Sequence, residues 1–228
     1  MLALLYDIHG NLPALEAVIG DAEQSGAQRY LLGGDYALFG PWPEETVQRL
    51  RALDAVWIRG NGERWSARPA DAPDDEVVQA AIGACREMLG EETVEELAAL
   101  PEAYVDGHAR YCHGSPVSDV RSFFPEPADD EPDLLGDAIE PRLVFGHTHL
   151  QFRRESVLGG LELVNPGSVG MPFDGDTRAA YALVADGGEI ELRRVAYEHE
   201  ESAEAARERL PGFGETIARR ISQAAFVS

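Results

Sequence analysis

The chain has 228 residues with 19 basic against 41 acidic side chains, a formal net charge of -22, and every basic residue is Arg. At a prior of roughly 150 residues per domain, that length favours one domain with a sizeable core. The acidic balance disfavours long nucleic acid and anionic membrane surfaces as partners. A small phosphorylated molecule is still allowed, because bound divalent cations would make a local positive spot that the side-chain count omits.

Leu2 to Tyr6 reads as a buried first strand, followed at once by Asp7-Ile8-His9-Gly10-Asn11. The run has no basic segment ahead of it and is too short for a signal peptide or a membrane span, so the expected location is cytoplasmic. Asp7 and His9 stand at i and i+2, which at a strand end point to one side. From Leu12 to Gln24 the apolar positions Leu12, Leu15, Val18 and Ile19 recur at helical spacing, with Asn11 as N-cap and Pro13 in the first turn. Arg29 to Leu32 is a second strand ending in Gly33-Gly34-Asp35, then a loop with aromatic and Gly-Pro punctuation leads to a helix from about Glu44 to Leu53. Ala55 to Ile58 is a third strand, ending in Gly60-Asn61-Gly62-Glu63. The repeated order of strand, polar residue and helix builds a parallel sheet by right-handed crossovers, which brings Asp7, Asp35 and Asn61 to one edge, where ligands of open α/β sheets bind.

From about residue 63 to 100 the pattern becomes helical, with helices over Glu76 to Leu89 and Glu91 to Leu100. This stretch is either a cap over the site or an outer layer, plain packing being the simpler reading. Ala103 to Asp106 and Arg110 to Cys112 form a hairpin around Gly107 that delivers His113-Gly114. Pro116 to Asp137 is a long loop or short helix, and its acidic stretch Glu126 to Asp133 is expected to be solvated. Strands at Leu143 to Phe145, Gln151 to Glu155, Glu162 to Val164, Tyr181 to Val184 and Glu189 to Val195, joined by turn-rich segments, predict a second, largely antiparallel sheet. Helices from Glu200 to Leu210 and Glu215 to Ala224 close the chain. Cys85 and Cys112 make no disulfide framework and read as small buried groups; His108 and His199 read as surface residues.

The chemistry lies in the ordered set Asp7-x-His9, Gly34-Asp35, Gly60-Asn61, His113-Gly114 and Gly146-His147-Thr148-His149. Each piece is common by itself, yet each here follows a predicted strand. As a set they resemble the calcineurin-like metallophosphoesterase family, in particular its small bacterial and archaeal phosphodiesterase-like branch. The resemblance spans nearly the whole chain, including the Asn165-Pro166-Gly167-Ser168 turn. It implies an α/β fold, a four-layer α-β-β-α sandwich of two mixed sheets flanked by helices, over residues 1–228 as a single domain with a helical insertion or cap at about 63–100.

The family pattern further implies that one metal is held by Asp7, His9, Asp35 and His149 and a second by Asp35, Asn61, His113 and His147, with Asp35 bridging. Asp35 and Asn61 thus count as catalytic as well as metal-binding. Imidazole and carboxylate together suit two divalent transition metals, Mn, Fe, Zn, Co or Ni, better than Mg or Ca. The implied activity is metal-dependent hydrolysis of a small or nucleotide-like phosphoester by a metal-activated hydroxide. The family's best-known members carry His after the Gly-Asn pair; here Gly62 stands there and has no proton to give. General acid help is worth about 10²–10⁴ in rate, so activated aryl diesters are the expected substrates over alkyl monoesters. Glu63 is expected to be structural rather than a replacement donor. Arg64 and Arg178 are candidate phosphate contacts, Arg178 being equally ready to pair with Asp174 or Asp176. The alternative is a non-catalytic protein-interaction scaffold, as in the retromer subunit of the same fold, which has no chemical need for seven ligands. A homodimer is compatible with the sequence.

Overall fold

The computed structural model describes residues 1–227. Among them, strands β1 (Leu2–Leu5), β2 (Arg29–Leu32), β3 (Ala55–Trp57), β9 (Ala179–Val184) and β10 (Ile190–Val195) form one sheet in the order β10-β9-β1-β2-β3. Strands β4 (Ala103–Val105), β5 (Arg110–Cys112), β6 (Arg142–Val144), β7 (Phe152–Glu155) and β8 (Glu162–Asn165) form the other, in the order β4-β5-β6-β8-β7. Both sheets are mixed. In the first, β1, β2 and β3 are parallel while β9 and β10 run antiparallel; in the second, β5, β6 and β8 are parallel with β4 and β7 antiparallel at the edges.

The expectation of a largely antiparallel second sheet is therefore corrected in two respects. Its central strands are parallel, and the last two strands leave it to complete the first sheet beside β1. Short strands separated by turns look alike whichever sheet they join, because the pairing partner of β9 is the first strand of the chain, Leu2 opposite Val184.

Alternation along each strand makes the layers. Leu4 and Tyr6 face inward and meet Tyr111, Val144 and Val164 of the second sheet, whereas Ala3 and Leu5 face outward onto helices. That outer layer includes α1 (Leu12–Gln24), α7 (His199–Arg209) and α8 (Gly214–Gln223), contributing Leu15, Val18, Ala206 and Ile217. On the far side, Leu143, Phe145 and Leu163 pack under Phe123, Leu134 and Leu135. The fourth layer is thin, a five-residue helix α6 (Glu131–Leu135) plus coil. Its acidic start is not wholly solvated: Glu131 is buried and receives the Arg154 guanidinium. A buried charge of this kind is retained only with a hydrogen-bonded partner.

Helices α2 (Pro43–Arg51), α4 (Glu76–Leu89) and α5 (Glu91–Ala98) lie close to the predicted bounds, but α3 (Asn61–Ala67) was not anticipated. Its N-terminal Asn61-Gly62 reads locally as a turn, and tertiary contacts overrule that preference. Within the helical stretch, Ala81, Ile82 and Cys85 of α4 join the core beside α3. Both cysteines are free and buried. His108 is exposed and His199 half-buried. No helix among the described residues is long and apolar enough to cross a membrane.

Candidate metal centre

The carboxyl ends of the parallel strands of both sheets converge. After β1 the chain presents Asp7 and His9, after β2 Asp35, after β3 Asn61, after β5 His113, and after β6 His147 and His149. Five of these seven have positive φ: Asp7 at 53°, His9 at 49°, Asp35 at 56°, His147 at 68° and His149 at 59°. Asp and His enter this region more readily than most residues, yet each such residue still costs about 1–3 kcal/mol, and strain of this sort concentrates at functional sites. Neighbouring glycines admit the crowding. Gly34 has a φ of +94°, and a Cβ at Gly146 would lie 2.5 Å from Asp7 Oδ2.

Two clusters result. In the first, His9 Nε2 lies 3.1 Å from His149 Nε2, His149 Nε2 is 3.5 Å from Asp7 Oδ1 and His9 Nε2 is 3.9 Å from Asp35 Oδ2. In the second, His113 Nε2 is 3.5 Å from Asp35 Oδ1 and 3.0 Å from Asn61 Oδ1. The Asn61 amide also faces His147: turned over, its nitrogen would donate to His147 Nδ1 at 2.8 Å and to His113 Nε2 at 3.0 Å. Asp35 thus directs one oxygen to each cluster. Asp7 reaches both, since His113 Nε2 is 3.8 Å from its Oδ1.

The donor chemistry fits a cation. His9 Nδ1–H donates to Leu38 O at 2.8 Å, His149 Nδ1–H to Met171 O at 2.6 Å and His113 Nδ1–H to Gly33 O at 2.9 Å. A carbonyl only accepts, so each neutral ring carries its lone pair on Nε2, directed inward. Asp7 Oδ1 is buried with no hydrogen-bond partner. Ligands bound to one ion at about 2.0–2.2 Å sit about 3–3.5 Å apart; the separations here run from 3.1 Å to 3.9 Å. Asp7, His9 and His149 can hold one ion, and Asp7, Asp35 and His113 a second.

Electrostatics agree with that geometry. Burial pushes the Asp7 carboxyl up, but His149, His113 and His9 outweigh it and hold it well below the usual carboxylate range. Asp35 is raised to about 7, chiefly by burial, with Glu63 and Asp7 adding to it against His113. Burial and the adjoining His149 bring His9 down to about 3, and burial with His113 brings His147 down to about 4. Neutral imidazoles are the metal-binding form.

Glu63 is buried, and its carboxylate accepts from three backbone N–H groups, Asp35 at 2.9 Å, Tyr36 at 2.8 Å and Gly60 at 2.8 Å. It ties the Asp35 loop to the start of α3. The two arginines expected at the phosphate are both held by carboxylates. Arg64 is held bidentately by Asp119, with both contacts at 2.7 Å, and the exposed Arg178 guanidinium closes back on Asp176. In each case a carboxylate on a loop pairs with the charge, and neither guanidinium lines the cavity beside the histidines.

Residues the sequence did not mark complete the site. A cavity of about 380 Å³ opens beside His9, Asp35, Asn61, His147 and His149, walled by Phe39, Trp65, Val77, Val78, Phe173, Arg220 and Phe226. Only Phe39, in the aromatic loop after Asp35, carried any local signal; the others come from α3, α4, the segment between β8 and β9, and the chain's end.

The fold and site define a class, an α/β sandwich with a buried Asp/His cluster able to hold a metal ion. The chain belongs to the calcineurin-like phosphoesterase superfamily, whose domain profile matches residues 1–187. It is 29% identical over 198 residues to Phosphodiesterase YfcE of Escherichia coli, covering 81% of this chain and 88% of that protein. It is likewise 29% identical over 235 residues to Uncharacterized protein MJ0912 of Methanocaldococcus jannaschii, covering 92% and 94%. Among solved structures, a metallophosphoesterase from Sphaerobacter thermophilus superposes with a TM-score of 0.82 at 26% identity, over 98% of each chain.

Proposed function

We propose that this protein is a metal-dependent phosphodiesterase that hydrolyses a small or nucleotide-like phosphoester, with one divalent ion held by Asp7, His9, Asp35 and His149 and a second by Asp35, Asn61, His113 and His147. The observation that carries the reading is the pair His9 and His149, whose Nε2 atoms face each other at 3.1 Å with both Nδ1 atoms committed to carbonyls. Two lone pairs at that distance repel unless a cation lies between them. The name of the Escherichia coli relative, a phosphodiesterase, points the same way. A purely protein-binding role would leave five strained residues, all carrying ligand groups, without a use.

When bound, the ions supply Lewis acidity, drawing charge from the phosphoryl oxygens and making hydroxide available near neutral pH. The protein fixes everything else. Asp35 offers one oxygen to each cluster, and the Gly62 N–H donates to its Oδ1 at 2.6 Å, orienting the bridge. Glu63 holds the backbone of that loop from behind and does not line the cavity. With Gly62 lacking a side chain, that position at the start of α3 supplies no proton donor to the leaving group, which favours leaving groups that depart as stable anions.

We read the chain as one domain, with α4 serving both roles considered for the helical stretch: Ala81, Ile82 and Cys85 pack in the core while Val77 and Val78 wall the cavity as a cap. The acidic surface fits a small phosphorylated substrate rather than long nucleic acid, and a cytoplasmic location accords with it. The deciding experiment strips the purified protein of metal and reloads it with Mn, Fe, Zn, Co or Ni. Each form is assayed for metal content and for turnover of aryl diesters, cyclic nucleotides, dinucleoside polyphosphates and phosphomonoesters. The expected result is about two ions per chain and diester hydrolysis that depends on them; a stripped protein that takes up no metal sinks the reading.

A further inference from the structure

One wall of the cavity is a closed circuit of rings and one cation. His9 lies 5.9 Å from Phe39, and the Arg220 guanidinium sits 5.8 Å above the Phe39 ring and 4.6 Å above Phe226. Phe226 lies 5.7 Å from Phe173, which stacks on His149 at 4.3 Å and 15°, and His149 returns to His9 at 4.8 Å. Arg220 is therefore one phenyl ring removed from His9 and lies at the far end of the same wall. It is 7% exposed, and among the described residues it makes no salt bridge, its Nε donating to Val227 O at 2.7 Å; Asp75, on the same cavity wall, acts on it electrostatically but from beyond ion-pair distance. A cation so buried ordinarily has an anionic partner.

Two further features point to a ligand. Trp65 Nε1, also on the cavity wall, is buried with no hydrogen-bond partner, and buried polar groups are nearly always satisfied. Phe39 has a φ of +73°, an uncommon conformation for a bulky side chain. Among the described non-glycine residues with positive φ, it is the one that is neither a proposed metal ligand nor at a helix C-terminus. The strained backbone presents its ring between His9 and Arg220.

Building on the proposed metal centre, we propose that this cavity is the specificity half of the site and takes a flat aromatic or nucleobase-sized group. The indole N–H of Trp65 donates to an acceptor atom on that group, and Arg220 receives a second anionic group of the same molecule. The preferred substrate is thus a phosphoester that combines a planar ring with a negative charge beyond the scissile phosphate.

Two arms test this separately from catalysis. In the first, metal-free protein is titrated with 1-naphthalenesulfonate, which carries ring and anion but no phosphorus, and binding is read by calorimetry. Loss of a charge-assisted contact should weaken binding about tenfold in Arg220→Met, while Arg220→Lys retains part of it; Trp65→Phe keeps the ring and tests the N–H alone on a probe with a ring acceptor, 5-quinolinesulfonate. In the second, Mn-loaded protein is assayed on bis(4-nitrophenyl) phosphate and methyl 4-nitrophenyl phosphate, which share a leaving group and differ in the second ring. The wild-type ratio of kcat/KM for the two should contract in Phe39→Ala. Failure to hydrolyse either ester overturns the metal-centre reading, and the binding arm still decides the pocket. Absence of naphthalenesulfonate binding, or binding unchanged in Arg220→Met, overturns the pocket.

Discussion

His9 and His149 approach with Nε2 atoms 3.1 Å apart although the residues are 140 positions apart in the chain. Each ring is clamped from behind by a carbonyl, Leu38 O for one and Met171 O for the other. The clamps fix the tautomer and aim the lone pair. Here, as at His113 Nδ1 and Gly33 O, polar groups from the ends of the two sheets meet directly.

Asp35 sends one oxygen toward His9 and the other toward His113. Asp35→Asn replaces one of these oxygens by an NH2 group that cannot ligate. Metal content measured by plasma mass spectrometry is expected to fall at both positions together, with diesterase activity down by at least about a hundredfold, the upper end of what outer-shell changes cost. Full metal content with full turnover in this variant would contradict the bridging role.

Metal-free protein should lose stability as pH falls from 6.5 to 4.5. His9, near 3, and His147, near 4, stay neutral in the folded chain across that window, whereas unfolded they protonate below about 6.5. The unfolded state then binds more protons, so stability falls with pH. Asp35, raised to about 7, acts in the opposite sense over the same window, because the folded state holds its proton first. His113, whose burial is outweighed by Asp35 and Asp7 so that it is raised, also opposes the loss near the top of the window. Lower in the window two groups against one leave a net loss on the order of 1 kcal/mol per pH unit. Scanning calorimetry of chelated protein checks this; a thermal midpoint higher at 4.5 than at 6.5 reverses the sign.

Glu63→Gln separates a structural carboxylate from a proton donor. The amide offers one acceptor oxygen where the carboxylate receives three N–H groups, so at least one N–H meets another donor, costing about 1–3 kcal/mol. A drop in melting temperature of several degrees is expected, with the activity of the remaining folded, metal-loaded protein on aryl diesters keeping its pH profile. Loss of the acid limb of the pH–rate profile without loss of stability would instead mark Glu63 as the donor.

Gly62 makes a further prediction about substrates. Aryl diesters should be turned over faster than alkyl monoesters, because the former need no protonation on departure. Restoring a histidine by Gly62→His should not rescue alkyl esters, since a Cβ there would lie 2.9 Å from Asp35 Oδ1 and 3.3 Å from Leu38 Cβ. Steady-state assays of both variants decide it, a gain on alkyl monoesters being the adverse outcome.

The sequence by itself marked the loops that carry the clustered Asp, Asn and His residues and determined the parallel heart of the first sheet. Strand, polar residue and helix succeed one another within a few residues, and that order is local information, readable in Leu2 to Gln24 as in Arg29 to Arg51. It also carried the Gly62 departure and the expectation that Glu63 is structural; the place of Glu63 as third residue of α3, a capping position, came from the structure. What only the tertiary structure decided is where remote segments meet. The Arg178–Asp176 pair is two residues apart and was open to the sequence, whereas the pairing of β9 with β1 and the capture of Arg64 by Asp119 depend on three-dimensional neighbours. So does the circuit from His9 through Phe39, Arg220, Phe226 and Phe173 to His149. Hydrophobic periodicity tells which face of an element is buried, but not against what. The charge of Arg64 goes to the carboxylate that the fold brings within reach, and no spacing in the chain encodes that distance.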